Sequence, residues 1–207
     1  MSASTRPLRI LLALACAVPI ALVATPARAA GIDGTPGDDH LVGTPGPDLV
    51  HALAGDDVVR ALAGADRVLG AAGDDVLRLG PNPLRPGPSG DTGLGGPGDD
   101  VLRGGPGFDV LVGGRGADLL IGGPGDNTLE DRRGADTVVG GPDSDVAYVG
   151  PGADRLHLGR GSDAVFIGVD DRVDLVVCGP GDDTAYVGPR PDPLDRMIGC
   201  EHVTDRP

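Results

Sequence analysis

The sequence predicts an all-β chain wound as a flat, two-sided parallel β-solenoid. Three observations carry that prediction. The 207-residue chain repeats itself every nine residues, each repeat opens on glycines, and each closes on a triplet with one large aliphatic side chain at its centre. Self-similarity at a fixed short period is the mark of stacked architectures. It outweighs a composition of 37 Gly, 20 Pro and a net charge of −14, which without a period would read as unfolded chain.

The template is G-G-x-G-x-D-x-U-x, with Asp at position six and an aliphatic residue U at position eight. Glycines at positions one, two and four allow the positive φ that a tight turn needs. Proline at position three, as in Pro36, Pro45, Pro97, Pro106, Pro124 and Pro142, fixes a turn φ. Positions seven to nine read as a three-residue strand, with position eight pointing opposite to its neighbours. Two units make one coil, so units n and n+2 lie directly above one another, about 4.7–4.9 Å apart.

Taken in chain order, residues 1–29 read as a secretory signal peptide. Arg6 and Arg9 precede an apolar run from Ile10 to Ala24, and Ala27-Arg28-Ala29 offers a cleavage site after Ala29. The run is short and broken by Pro19, which argues against a membrane anchor; a lipoprotein at Cys16 is the lesser alternative. The first repeat block spans 34–78, with position-six residues Asp39, Asp48, Asp57, Asp66 and Asp75. Residues 79–94 read as a proline-rich loop followed by one degenerate unit, in which Asp91 is in phase but Gly93 stands where the aliphatic belongs. The second block spans 95–166, with Asp100, Asp109, Asp118, Asn127, Asp136, Asp145, Asp154 and Asp163 at position six. Residues 167–207 read as degenerate repeats and a cap. The register slips by two after Phe166, and Asp174 and then Asp183 resume it. Cys178 and Cys200 are expected to bond in an oxidising compartment, the alternative being two free thiols.

The acidic residues decide the chemistry. All but two of the 31, Glu130 and Glu201, are aspartates, a choice that suits a short carboxylate arm held beside a turn. The basic residues are all arginine and too few for a nucleic-acid or anionic-membrane surface. Stacking puts Asp100 under Asp118 and Asp118 under Asp136, and two like charges that close repel by about 3 kcal/mol at an effective dielectric near 20. A divalent cation between them turns repulsion into attraction. A donor set of carboxylates and turn carbonyls suits Ca²⁺ first, and suits Mg²⁺ poorly because that ion demands a tight octahedron.

With those residues in view, the nonamers over about 34–188 resemble the RTX, or hemolysin-type, calcium-binding repeats. The resemblance implies a parallel β-roll with Ca²⁺ as its cofactor. It also implies ligation by turn carbonyls and by the position-six residues named above, together with Asp183. Units 52–60 and 61–69 depart from the pattern by opening Ala-Leu-Ala, Asn127 is neutral, and Asp143 replaces a position-four glycine. The segment from Cys178 to Val203 resembles the tail of secreted bacterial proteins with such repeats, which implies a disulfide-stapled cap over the open end of the sheets.

The expected function is a secreted, extracellular calcium-binding protein that folds on meeting several Ca²⁺ ions. The rival is a calcium-stabilised adhesion module using the apolar outward positions such as Val110, Val112 and Tyr148, unless both faces of each strand sit inside the roll. No protein or glycan partner is named by the sequence. No enzyme is expected: His40, His51, His157 and His202 are scattered, and no nucleophile–base motif accompanies them.

Overall fold

A computed structural model describes residues 30–82, 90–188 and 193–205. The leader expected over 1–29 and residues 83–89 of the proline-rich segment lie outside the described residues. Among the described residues all regular structure is β. Nineteen strands alternate in chain order between two sheets, one of ten strands and one of nine, so that each strand pairs with those two places before and after it. Every pairing is parallel. The even strands are mostly triplets, such as β8 (Val101–Arg103) and β10 (Leu119–Ile121), while the odd ones are longer, such as β3 (Asp48–Ala54) and β9 (Val110–Arg115).

The register follows the two-unit coil. Leu102 pairs with Leu120 and Leu120 with Val138. Two irregularities interrupt it without breaking either sheet. Leu77 pairs with Leu102 although seven extra residues separate their units, and Leu156 pairs with Val176 across the two-residue slip after Phe166.

The position-eight residues form the core. Val50, Val59, Val68, Leu77, Leu102, Leu111, Leu120, Leu129, Leu156, Val165 and Val176 are completely buried. Position one contributes too, and this the triplet reading missed. Ala52, Ala61, Leu79, Val149, Leu158, Ile167, Cys178 and Val187 all join the core cluster. Strand alternation simply runs past position nine, so position one points inward as position eight does.

Leu79 explains how the degenerate unit survives. A methyl group placed at Gly93 would fall 3.1 Å from one Leu79 methyl carbon and 3.4 Å from a Leu111 methyl carbon. Leu79 therefore fills the space the missing aliphatic leaves. Residues 79–82 are bonded to the following coil: Leu79 N–H donates to the Arg103 carbonyl and Asn82 N–H to the Pro106 carbonyl.

The turns keep one path even without paired glycines. Leu53, Leu62 and Ala71 stand at position two of their units with φ of 85°, 81° and 81°, in the same left-handed region as Gly96 and Gly114. Such a conformation costs a non-glycine residue about 1–3 kcal/mol and persists only where its surroundings impose it.

Of the outward apolar positions, Val110 and Tyr148 are exposed, whereas Val112 is buried. Tyr148, Phe166 and Tyr186 stack in file on the ten-stranded sheet, ring centroids 5.0 and 4.6 Å apart. At the C-terminal end the cap takes the form of a last rung. Strands β18 (Arg196–Ile198) and β19 (His202–Asp205) add one strand to each sheet, and Cys178 and Cys200 form a disulfide with Cα atoms 5.2 Å apart.

Candidate metal centre

The position-six side chains stack in two ladders, one beside each sheet. In each rung, one carboxylate oxygen accepts the backbone N–H of the position-six residue a coil earlier. The first ladder runs through Asp39, Asp57, Asp75, Asp100, Asp118, Asp136, Asp154 and Asp174, with N···O distances of 2.7–2.9 Å. The second runs through Asp48, Asp66, Asp91, Asp109, Asn127, Asp145, Asp163 and Asp183, at 2.7–3.0 Å. The structure thus aligns every position-six residue that the sequence nominated.

Sequence reasoning left four rungs off its ligand set. Asp91 and Asp174 occupy full places in the ladders, and counting across the inserted residues and the slip recovers both. Asp195 and Glu201 close the two ladders by accepting Asp174 N–H and Asp183 N–H, each at 3.1 Å. Asp195 stands 21 residues after Asp174, off the period, whereas Glu201 stands 18 after Asp183, two nonamers on, but is Glu where the template has Asp. A further, exposed file lies at position five, where Asp38, Asp56 and Asp74 accept N–H groups from Asp56, Asp74 and Asp99.

The second carboxylate oxygen sorts the rungs. In Asp57, Asp66, Asp75, Asp91, Asp100, Asp109, Asp118, Asp136, Asp145, Asp154, Asp163 and Asp183 the Oδ2 is buried and has no hydrogen-bond partner. Asp39 and Asp48 differ. There a position-two threonine turns its own N–H, and its hydroxyl, onto the carboxylate: Thr35 N–H reaches Asp39 Oδ2 and Thr44 N–H reaches Asp48 Oδ2, both at 2.5 Å. A buried carboxylate oxygen without donor or counter-ion is costly, so the twelve orphans call for a positive group.

Asn127 shows where that group belongs. Its Oδ1 takes the Asp109 N–H, as any rung would. Its Nδ2 donates to the Gly123 carbonyl at 3.1 Å and the Gly125 carbonyl at 2.8 Å, the position-two and position-four oxygens of its own turn. In the aspartate turns an oxygen replaces that nitrogen, and an oxygen cannot donate to carbonyls. Position-one glycine adds to the oxygen lining. A Cβ at Gly104 would strike Asp109 Oδ2 and lie 2.8 Å from the Gly122 carbonyl oxygen, and one at Gly95 would strike Asp100 Oδ2 and lie 2.7 Å from the Gly113 carbonyl oxygen. Carboxylate and carbonyl oxygens converge there with no donor among them. These residues fit a hard cation of flexible geometry, which is the coordination chemistry of Ca²⁺.

Electrostatics state the same requirement. Without a cation, burial pushes the Asp100 carboxyl up to about 7, with repulsion from Asp118 and Asp75 adding to the shift and the Asp75 N–H opposing it. Burial also carries Asp91, Asp145 and Asp174 to about 7, and Asp66, Asp75, Asp118, Asp136, Asp154 and Asp163 to about 6.

Fold and site together define a class: a parallel β-roll whose turns present stacked carboxylates and backbone carbonyls to hard cations. The model of the RTX calcium-binding nonapeptide repeat matches the chain in four copies, at residues 33–68, 53–81, 94–129 and 132–165, and the chain belongs to that family. Its repeats bind Ca²⁺. No curated protein matches the chain.

Proposed function

We propose that this is a secreted calcium-binding protein, active outside the cell, whose roll folds as Ca²⁺ enters the turns. The observation that carries the reading is the run of buried, partnerless Oδ2 atoms in the very place where the Asn127 amide supplies its own donor. Aspartates 57, 66, 75, 100, 109, 118, 136, 145, 154, 163 and 183, joined by Asp91, would hold the ions together with the turn carbonyls. The Asp39 and Asp48 carboxylates have their hydrogen bonds supplied by threonine donors, and Asn127 needs no ion, so these three hold their turns without one.

Calcium supplies here what the chain lacks: positive charge between rungs. A site that exists only in the folded chain makes metal binding part of the folding free energy. The leader at 1–29 accords with delivery to a calcium-rich exterior. Such a setting suits site affinities of about 10⁻⁴–10⁻³ M, the range of extracellular modules.

Equilibrium dialysis against calcium tests the assignment. The purified protein should bind several equivalents, and Asp118→Ala and Asp109→Ala should each lose at least one. Unchanged stoichiometry in both variants would refute the ligand set.

A further inference from the structure

Among the described residues, one buried aspartate belongs to neither ladder. Asp131 stands at position one of unit 131–139, where the repeat otherwise carries glycine or an apolar residue. Position one faces inward, so this carboxylate enters the roll where the chain elsewhere places Ala52, Leu158 or no side chain at all. It is completely buried, as is Asp136, and Asp154 is 1 % exposed. Ligand oxygens of the three all lie within 4.8 Å of one another.

The partners inside this cluster are too few. Asp131 Oδ1 accepts Gly150 N–H at 2.6 Å, Asp136 Oδ1 accepts Asp118 N–H at 2.7 Å, and Asp154 Oδ1 accepts Asp136 N–H at 2.8 Å. The Oδ2 of every one of the three is buried and unpartnered. Both arginines that follow Asp131 are turned outward; Arg132 pairs with Glu130 at the surface, 3.1 Å away. Three enclosed carboxylates thus converge with no cationic side chain between them.

We propose that Asp131 joins the ladder aspartates Asp136 and Asp154 in a three-carboxylate Ca²⁺ site, tighter than the ordinary repeat sites. The proposal rests on the reading of the chain as a calcium binder and adds a ligand that the repeat does not supply. Oxygens bound to one Ca²⁺ at 2.3–2.6 Å can lie up to about 5 Å apart, so a single ion spans this cluster. The repeat turns draw their charge from the stacked ladder aspartates alone. Here a third carboxylate joins two of them on rigid neighbouring rungs, and calcium affinity rises with ligand charge and site rigidity. The competing account is a protonated Asp131 that donates to a neighbouring carboxylate and binds no metal.

Calorimetric titration of the purified protein with calcium separates the two. Wild type should show one equivalent bound at least tenfold more tightly than the rest. Asp131→Gly, which restores the commonest residue of the repeat, and Asp131→Asn should remove the tight class and leave Asp136 and Asp154 binding with the affinity of the weaker class. A tight equivalent that survives in both variants, or a wild type with only one weak class, overturns the proposal while leaving the repeat sites intact. A wild type that binds no calcium overturns the general reading as well. Anomalous scattering from wild-type crystals soaked in terbium gives a measurement that depends on no variant. Density bridging Asp131, Asp136 and Asp154 supports the site, and occupied repeat turns beside an empty cluster refute it.

Discussion

At the scale of single residues, the difference between Asn127 and its neighbours is one atom, and that atom separates a turn closed by the protein from one closed by an ion. The Asn127 amide nitrogen holds two turn carbonyls together, whereas Asp109 and Asp145 leave an oxygen facing oxygens. Asn127→Asp should therefore raise the calcium stoichiometry by one equivalent and weaken the calcium-free protein, which dialysis and thermal melting in chelator at about pH 5 would register. The position-six set was legible in the sequence because its spacing is strict. The sorting within that set was not. It depends on Thr35 and Thr44 bending back onto Asp39 and Asp48, and a threonine at position two looks like any other turn residue until the turn is built. Asp131 was equally hidden, because a position read as turn gives no reason to ask which way its side chain points.

At the scale of elements, the nonamer specified the strand triplets, the pairing of alternate units and the inward position eight. It understated the odd strands, because glycine at position one masks an alternation that Ala52, Leu79 and Leu158 reveal. Leu79 gives the clearest consequence. It belongs to no regular unit, yet it is fully buried against Gly93, beside Leu111. Leu79→Ala should open a cavity that neighbouring strands cannot close and should cost about 2–5 kcal/mol, the range for buried Leu→Ala changes. Denaturant unfolding of the calcium-loaded protein would measure it. A loss well under 1 kcal/mol would show that the 79–82 segment is not part of the core.

At the scale of the whole molecule, the ladders couple folding to both calcium and protons. The ladder carboxyls titrate near 3.8 in an unfolded chain, while burial lifts those of Asp91 and Asp100 to about 7 and those of Asp118 and Asp136 to about 6 in the folded, metal-free one. The folded state then binds more protons, so its stability is fully present below about pH 4 and is lost as pH rises through 6 to 7. Calcium reverses the preference by favouring the ionised form. Melting temperature without metal should accordingly fall between pH 5 and 8, and with saturating calcium it should not. The Cys178–Cys200 bond staples the final rung against this repulsion, worth about 3 kcal/mol in the chain-entropy view.

The most direct test of the central claim, that buried ladder carboxylates are held together by bound cations, is far-ultraviolet circular dichroism of the metal-stripped protein at neutral pH during calcium titration. The account predicts a largely unfolded spectrum that converts cooperatively to a β-rich one at about 10⁻⁴–10⁻³ M calcium. A spectrum already β-rich after exhaustive stripping, and unmoved by calcium, would contradict it.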